Sequence, residues 1–387
     1  MMQDLKHITC IEDMRRVYRR RVPKMFVDYV DSGSYTELTY RHNESDFQKI
    51  LLRQKVLQDI SCRSLHSTML GEAVSMPVAL APTGLAGMQH ADGEMLAAKA
   101  AAEFGVPYIV STMSVCALEE VAFYAPQRPL WFQLYMMKDR AFMQRLIERA
   151  KRAACSALVL TADLQIMGQR HKDIKNGLST PPKPTVKTIL NLLTKPRWCY
   201  YMSQTKRHQL GNIVGHVEGV SDTRSLSAWA GEQFDPKLSW DDVAWVKAQW
   251  GDKLIIKGIM DVEDAQAAVA CGADAIVVSN HGGRQLDGAP SSIQVLPEIV
   301  AAVGQDIEVW LDGGIRSGQD VFKALALGAQ GVLIGRAYNY GLGAYGEDGV
   351  RRVLEIIAKE MDTTMALCGK TKVSQVDDSV LYRSIII

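Results

Sequence analysis

The stretch SNHGGRQLDG, residues 279–288, directly follows the run Ala275-Ile-Val-Val278. A short β-branched apolar run closed by a Gly-rich polar turn reads as a buried strand that delivers side chains into a site. The turn offers His281, Arg284, Gln285 and Asp287 together. Among these, only His281 has an ordinary pKa near neutrality, which suits a proton acceptor or donor. Arg284 is a permanent planar fork matched to a carboxylate. Gly282 and Gly283 allow the backbone to approach a flat ligand closely. Taken alone, the turn is also compatible with a satisfied histidine at a polar strand end.

Outward from this turn a rhythm runs through the chain. Apolar runs recur at Met76–Ala81, Tyr108–Ser111, Leu130–Leu134, Ala157–Thr161, Leu254–Lys257, Ala275–Ser279, Val309–Asp312 and Gly331–Gly335. Longer helical patterns separate them, which points to βαβ units and a parallel sheet. Eight such units predict an α/β fold of the (β/α)8 TIM-barrel type. The alternative is a doubly wound open sheet, but no Gly-rich dinucleotide fingerprint stands at an early strand–helix turn. Polar residues and glycines gather where each run ends: Pro82-Thr83-Gly84, Ser111-Thr112, Gln133-Leu134-Tyr135, Thr161-Ala162-Asp163 with Arg170 beyond, Lys257, His281 with Arg284, Asp312 to Arg316, and Gly335-Arg336. Barrel enzymes build their sites at these strand ends. Gly313, Gly314 and Gly335, with Arg316 and Arg336, lie in the last two loops and suit a phosphate.

SNHGGRQLDG, LDGGIRSGQD (311–320) and GVLIGR (331–336) together resemble the FMN-dependent α-hydroxy acid dehydrogenase and oxidase family. The resemblance spans residues 4–365. GMQHADGE (87–94) and the long middle segment are most similar to the bacterial respiratory L-lactate dehydrogenases. It implies oxidation of L-lactate or a related L-2-hydroxy acid, with electrons passed to a quinone or other respiratory acceptor. A peroxide-forming oxidase and a mandelate-type dehydrogenase are the alternatives within the family. A barrel that binds flavin or phosphate without turnover is the alternative outside it. The resemblance places Ala81, Pro82 and Thr83 along the flavin ring, and Ser111, Gln133, Thr161, Lys257, Ser279 and Asp312 among the cofactor contacts. Lys257 would stand near the pyrimidine edge and stabilise negative charge on reduction. Arg284 and Arg170 would clamp the substrate carboxylate with help from Tyr29, and Tyr135 would bond the hydroxyl. His281 would take a proton, with Asp163 orienting the imidazole. Met113 replaces the aromatic residue of the plant glycolate oxidases, which leaves room for a methyl group. Gly84 resembles the dehydrogenases more than the oxidases.

The 387 residues, 47% hydrophobic and 22% charged, suit a folded protein built as one domain. A net charge of +1 argues against a nucleic-acid binder. The seven cysteines form no CxxC pair, so reduced thiols are expected and no metal centre. Residues 1–75 form an N-terminal extension: a helix over Ile11 to Tyr18, then a second that Pro23 opens at its first turn and Gly33 stops. The barrel is assigned to 76–366. Between the fourth and fifth runs lie about 90 residues, where a βα unit needs about a third of that. This insertion, 174–235, has no Asp or Glu over residues 174–217 and carries Lys195, Arg197, Trp198, Tyr200 and Tyr201. Such composition fits a lid or an interfacial segment at an anionic membrane. The interfacial reading places the protein peripherally on the cytoplasmic side of the inner membrane, and the resemblance implies a homo-oligomer, with a homotetramer as the expectation.

Overall fold

Period-two alternation in eight short strands decides the architecture. The strands are β1 (Val78–Leu80), β2 (Tyr108–Ser111), β3 (Leu130–Tyr135), β4 (Ala157–Thr161), β5 (Leu254–Ile259), β6 (Ala275–Val278), β7 (Glu308–Asp312) and β8 (Gly331–Ile334). In the computed structural model all eight pair in parallel and close into one barrel, β8 beside β1 through Val332 and Val78. It describes residues 5–126, 129–176, 186–217 and 236–382. The expected (β/α)8 barrel is therefore present, and the open sheet is not.

Alternate residues of each strand point inward, as a closed barrel requires. Ala79, Ile109, Trp131, Val159, Ile255, Val277, Trp310 and Leu333 fill the interior, while Val78, Leu80, Val110, Phe132 and Leu158 face the surrounding helices. Trp131 and Trp310 stack across the lumen at 5.2 Å. The hairpin Ser67–Met69 and Glu72–Val74 closes the N-terminal end, adding Met69, Leu70 and Val74 to the interior cluster. Glu72 and Glu308 accept the two indole N–H groups at 3.1 and 3.0 Å, so neither buried donor is left unpaired. With that end sealed, ligand access is confined to the C-terminal end of the strands.

The N-terminal extension differs in detail from expectation. The first helix runs Ile11–Arg21, and Pro23 caps the second, Lys24–Val30, rather than starting its first turn. That helix stops at Asp31, before Gly33. The Asp31 carboxylate is drawn inward to Arg15 at 2.8 Å, Arg19 at 2.5 Å and the hydroxyls of Tyr40 and Tyr340. Within the long insertion, helices Val186–Leu193 and Pro196–Gln204 lie on the N-terminal helices. Lys195 Nζ donates to the carbonyls of Arg19 and Arg20, and Phe26 meets Trp198 at 5.6 Å. Residues 177–185 and 218–235 of the insertion lie outside the described residues. No described helix is long and apolar enough to cross a membrane.

Candidate active site

The inward parity that fills the barrel with apolar groups turns polar in its uppermost layer. Ser111, Gln133, Thr161, Lys257, Ser279 and Asp312 continue the inward-facing positions of β2 to β7. They satisfy one another. Ser111 Oγ donates to Gln133 Oε1 at 3.2 Å, and Gln133 Nε2 donates to Thr161 Oγ1 at 3.0 Å. Lys257 Nζ donates to Ser279 Oγ at 2.8 Å and stands 2.7 Å from Asp312 Oδ2. Burial alone would raise the Asp312 carboxyl; the Lys257 ammonium outweighs it and holds the group below its ordinary range. Lys257 was expected to meet a cofactor anion as its balancing charge, yet it already has a carboxylate partner.

Beyond β6 the chain makes a left-handed turn at three consecutive residues, His281, Gly282 and Gly283, with φ of +57°, +64° and +72°. A side chain at Gly283 is excluded, because a Cβ there would stand 2.5 Å from the Tyr40 nitrogen. His281 is not a glycine, so its conformation is strained and is held by its contacts. The imidazole Nδ1 lies 2.9 Å from Asp163 Oδ1, and the His281 N–H donates to Ser279 Oγ at 3.1 Å. Burial would raise Asp163; the imidazole, their hydrogen bond and Lys257 pull it down, so it stays a carboxylate. Burial pushes the imidazole below its ordinary value against the pull of Asp163, with Lys257 and Arg170 pushing the same way as burial. The ring is therefore neutral near pH 7, with Nδ1–H donated to Asp163 and Nε2 available as a base.

Two guanidinium groups face the same cleft. Arg284 lies 4.8 Å over the Tyr29 ring and donates to the Tyr29 carbonyl. Arg170 Nε donates to the Arg284 carbonyl at 3.2 Å. Burial, then the charge of Arg170, lowers Arg284 to about 10, which still leaves it cationic at neutral pH. Adjacent buried cations of this kind define an anion site. Burial raises the Tyr135 hydroxyl well above its usual range, so it acts as a neutral donor. Asp173 was not anticipated. It lies 3.8 Å from Arg284 with one oxygen, and its buried Oδ1 has no partner. Its spacing, three residues past Arg170, was the available signal. Gln285 was noticed but given no role. Its amide donates to the carbonyls of Asp163 and Ile166 at 2.7 Å, tying the β6 loop to the β4 loop.

These groups gather around one cleft of about 480 Å³, some on its wall and some behind it. Ala81, Pro82, Thr83, Tyr135, Thr161, Arg170, Lys257, His281, Arg284, Asp312, Gly313, Gly314, Arg316, Gly335 and Arg336, at or beyond the strand ends, reach its wall, as does Tyr29 from the N-terminal extension. Ser111, Gln133, Ser279 and Asp163 do not; they stand behind it and fix the groups that do. At the far end, Arg336 donates to the carbonyls of Val30 and Ser32 at 2.8 Å, and Arg316 pairs with Glu44 at 2.8 Å. The buried Arg316 Nε and Ser292 Oγ have no partner, and a Cβ at Gly313 would lie 2.8 Å from that hydroxyl. Gly314 is tighter still, with Asn43 O only 1.8 Å from where its Cβ would be. Unpaired buried donors beside two arginines and backbone without side chains fit a phosphate, and the apolar slot of Ala81, Pro82 and Leu333 fits a flat ring.

The sequence family described as FMN-dependent dehydrogenase matches residues 18–383. The chain belongs to that family. The cleft thus meets the needs of FMN, its ring slot and phosphate cradle being formed by this chain's own residues. Among relatives, an L-lactate dehydrogenase of Caulobacter sp. (strain K31) is 46% identical over 381 residues, covering 97% of this chain and 99% of the relative. The L-lactate dehydrogenase of Pseudomonas syringae pv. syringae (strain B728a) is 45% identical, covering 98% of this chain and 99% of its own. Among solved structures, the monotopic membrane protein (S)-mandelate dehydrogenase superposes with a TM-score of 0.93 at 36% identity, covering 98% of this chain and 100% of that one. A mandelate oxidase with bound (S)-4-hydroxymandelic acid reaches 0.83 at 36% identity, covering 95% and 97%.

Proposed function

We propose that the chain oxidises L-lactate to pyruvate with FMN held in the cleft, and passes the electrons to a respiratory quinone or comparable acceptor. The observation that carries this reading is the neutral His281, 2.9 Å from Asp163, in one cleft with the Arg170–Arg284 anion site. A binder without turnover has no need of a base facing a carboxylate clamp. The full-length similarity to L-lactate dehydrogenases supports lactate as the substrate.

Bound FMN supplies the two-electron acceptor. The chain's residues bind the substrate, orient it and move its proton. Arg284 and Arg170 hold the carboxylate, and their fixed positions supply the orientational part of catalysis. Tyr29 supports Arg284 through its ring. Tyr135 donates to the substrate hydroxyl oxygen and follows it as it becomes a carbonyl. His281 Nε2 accepts the proton that leaves the substrate, and Asp163 stabilises the imidazolium formed. Lys257, held by Asp312 and Ser279, would offer an N–H donor to the ring from the cleft wall. Arg316, Arg336 and the glycines Gly313, Gly314 and Gly335 hold the phosphate.

A second reading, a mandelate-type dehydrogenase, draws support from Met113, Leu164, Met167 and Ile174 on the cleft wall, which suit a bulkier substrate side chain. The deciding experiment is anaerobic mixing of the yellow enzyme with L-lactate, D-lactate, glycolate and (S)-mandelate, followed by reoxidation with a quinone or with oxygen. Bleaching by L-lactate alone and fast reoxidation by quinone supports the first reading. Preferential bleaching by mandelate replaces it with the second, and fast reoxidation by oxygen replaces it with an oxidase.

The site of action in this proposal is the cytoplasmic face of the inner membrane. Leu190, Leu193 and Tyr200 stand exposed on the two insertion helices beside Arg197, and basic residues next to apolar ones favour an anionic interface. The similarity to a monotopic membrane protein points the same way. A homotetramer belongs to the same proposal, and light scattering of the detergent-solubilised enzyme tests it.

A further inference from the structure

Outside the flavin cleft, a second cavity of about 40 Å³ opens between helix Pro196–Gln204, the end of helix Ile11–Arg21 and the segment around Tyr345. Arg21, Gln89, His90, Arg197, Trp198 and Tyr201 line it, and no carboxylate does among the described residues. Three of these residues carry donors. Arg21 is fixed 4.1 Å over the Tyr345 ring and donates to the Ala344 carbonyl. Arg197 is exposed and forms no described hydrogen bond or ion pair. Gln89 is 1% exposed; its Oε1 accepts from the Tyr18 hydroxyl at 2.7 Å, while its Nε2 has no partner. A buried amide donor left unpaired is costly, so its presence on a cavity wall signals an acceptor that fills the space. Arg21 and the exposed Arg197 beside it favour an acceptor that carries negative charge.

Size narrows the chemistry. At roughly 10–15 Å³ per water, the cavity has room for about three waters, enough for a compact oxyanion and too little for a quinone ring. Aromatic side chains, His90 against Tyr201 at 4.7 Å and the Trp198 indole donating to Met88 O at 3.0 Å, hold the walls in place. We propose that this cavity is a binding site for a phosphate group, held by Arg21, Arg197 and the Gln89 amide. The phosphate is either free in solution or the head of an anionic lipid. The lipid source rests on the peripheral-membrane reading above, and the free source does not.

The test uses FMN-loaded enzyme in phosphate-free buffer, with calorimetric titration of inorganic phosphate and of the soluble headgroup glycerophosphoglycerol. Flotation with phosphatidylglycerol and phosphatidylcholine vesicles runs in parallel. Arg197→Gln should weaken both soluble probes at least about tenfold, since a charge-assisted bond is lost, and leave lactate turnover unchanged. Arg20→Gln removes the same charge from an exposed site outside the cavity and should leave the soluble probes unaffected. Gln89→Leu, checked by its melting temperature and flavin absorbance, should also weaken them. Loss of phosphatidylglycerol flotation in Arg197→Gln but not in Arg20→Gln assigns the lipid head. Unchanged flotation with lost phosphate binding assigns free phosphate. Absence of binding by either soluble probe at millimolar concentration, or equal binding by wild type and Arg197→Gln, overturns the proposal. Cell fractionation decides membrane association separately, so failure of one reading leaves the other standing.

Discussion

At the scale of single residues, His281 is where structure and chemistry meet most tightly. A left-handed histidine, a neutral ring and an ionised Asp163 form one unit. His281→Gln is expected to keep FMN yet lose turnover by at least about 10²–10⁴-fold, seen as flavin that stays yellow with lactate. Because the imidazole titrates below its ordinary value, kcat/KM should fall only as the pH drops below about 6.5, with the acid limb abolished in the variant. Arg284→Lys should raise KM and lower kcat, since an ammonium cannot reproduce the planar fork or its stacking on Tyr29. Asp173 carries a further pH effect. Burial raises its carboxyl, against the pull of Arg284, Arg170 and Lys172 and with the push of Asp28. Below its pKa it is neutral and leaves Arg284 to the substrate; above it, its anion competes for the same guanidinium. The KM for lactate is therefore expected to rise with pH through that titration, and Asp173→Asn should flatten the rise. A parallel pH–KM profile in the variant would show that Asp173 does not compete.

At the scale of elements, one parity rule explains both stability and site. Positions of the same inward alternation carry Trp131, Val159, Val277 and Trp310 low in the barrel and Gln133, Thr161, Ser279 and Asp312 at its top. The apolar layers and the hairpin seal the lower end, so the polar layer faces the opposite end, where the cleft opens. Trp310→Ala removes one half of the indole stack and the indole donor to Glu308 Oε2, leaving that carboxylate only the Leu70 N–H among the described residues. It should cost about 3–5 kcal/mol, measured as a lower urea midpoint, while leaving the KM for lactate close to wild type. A shift in KM instead would mean that the lower layers also shape the cleft.

At the scale of the molecule, the insertion helices distinguish this chain from a bare barrel. They anchor to the N-terminal extension through Lys195, through Trp198 against Phe26, and through Asn191, which accepts from the Lys24 N–H at 2.7 Å. They leave Leu190 at 59%, Leu193 at 74% and Tyr200 at 63% exposure, three large apolar side chains open to solvent. Replacing Leu190, Leu193 and Tyr200 together by serine is expected to move the enzyme from the membrane pellet to the supernatant at low salt, with dye-linked lactate turnover retained. Equal partition of variant and wild type would reassign these helices to a lid.

Much of this was legible in the sequence for a physical reason. Strand and helix periods follow from local backbone geometry, so all eight strands and their polar ends could be read without coordinates. His281, Arg284 and the glycines of the last loops were legible because a tight turn at a strand end admits few residue types. Tertiary structure alone decided the rest. Asp31 ended a helix early because four groups converge on it, one of them, Tyr340, from the far end of the barrel's sequence. Lys257 acquired Asp312, and Ser111, Gln133 and Ser279 became supports behind the wall, because barrel closure sets which inward side chains touch. Asp173 and Gln89 stand out in the structure through the partner each lacks, one at a buried oxygen and one at a buried nitrogen. Hydrogen-bond satisfaction is a property of three-dimensional neighbours, and no spacing along the chain encodes it.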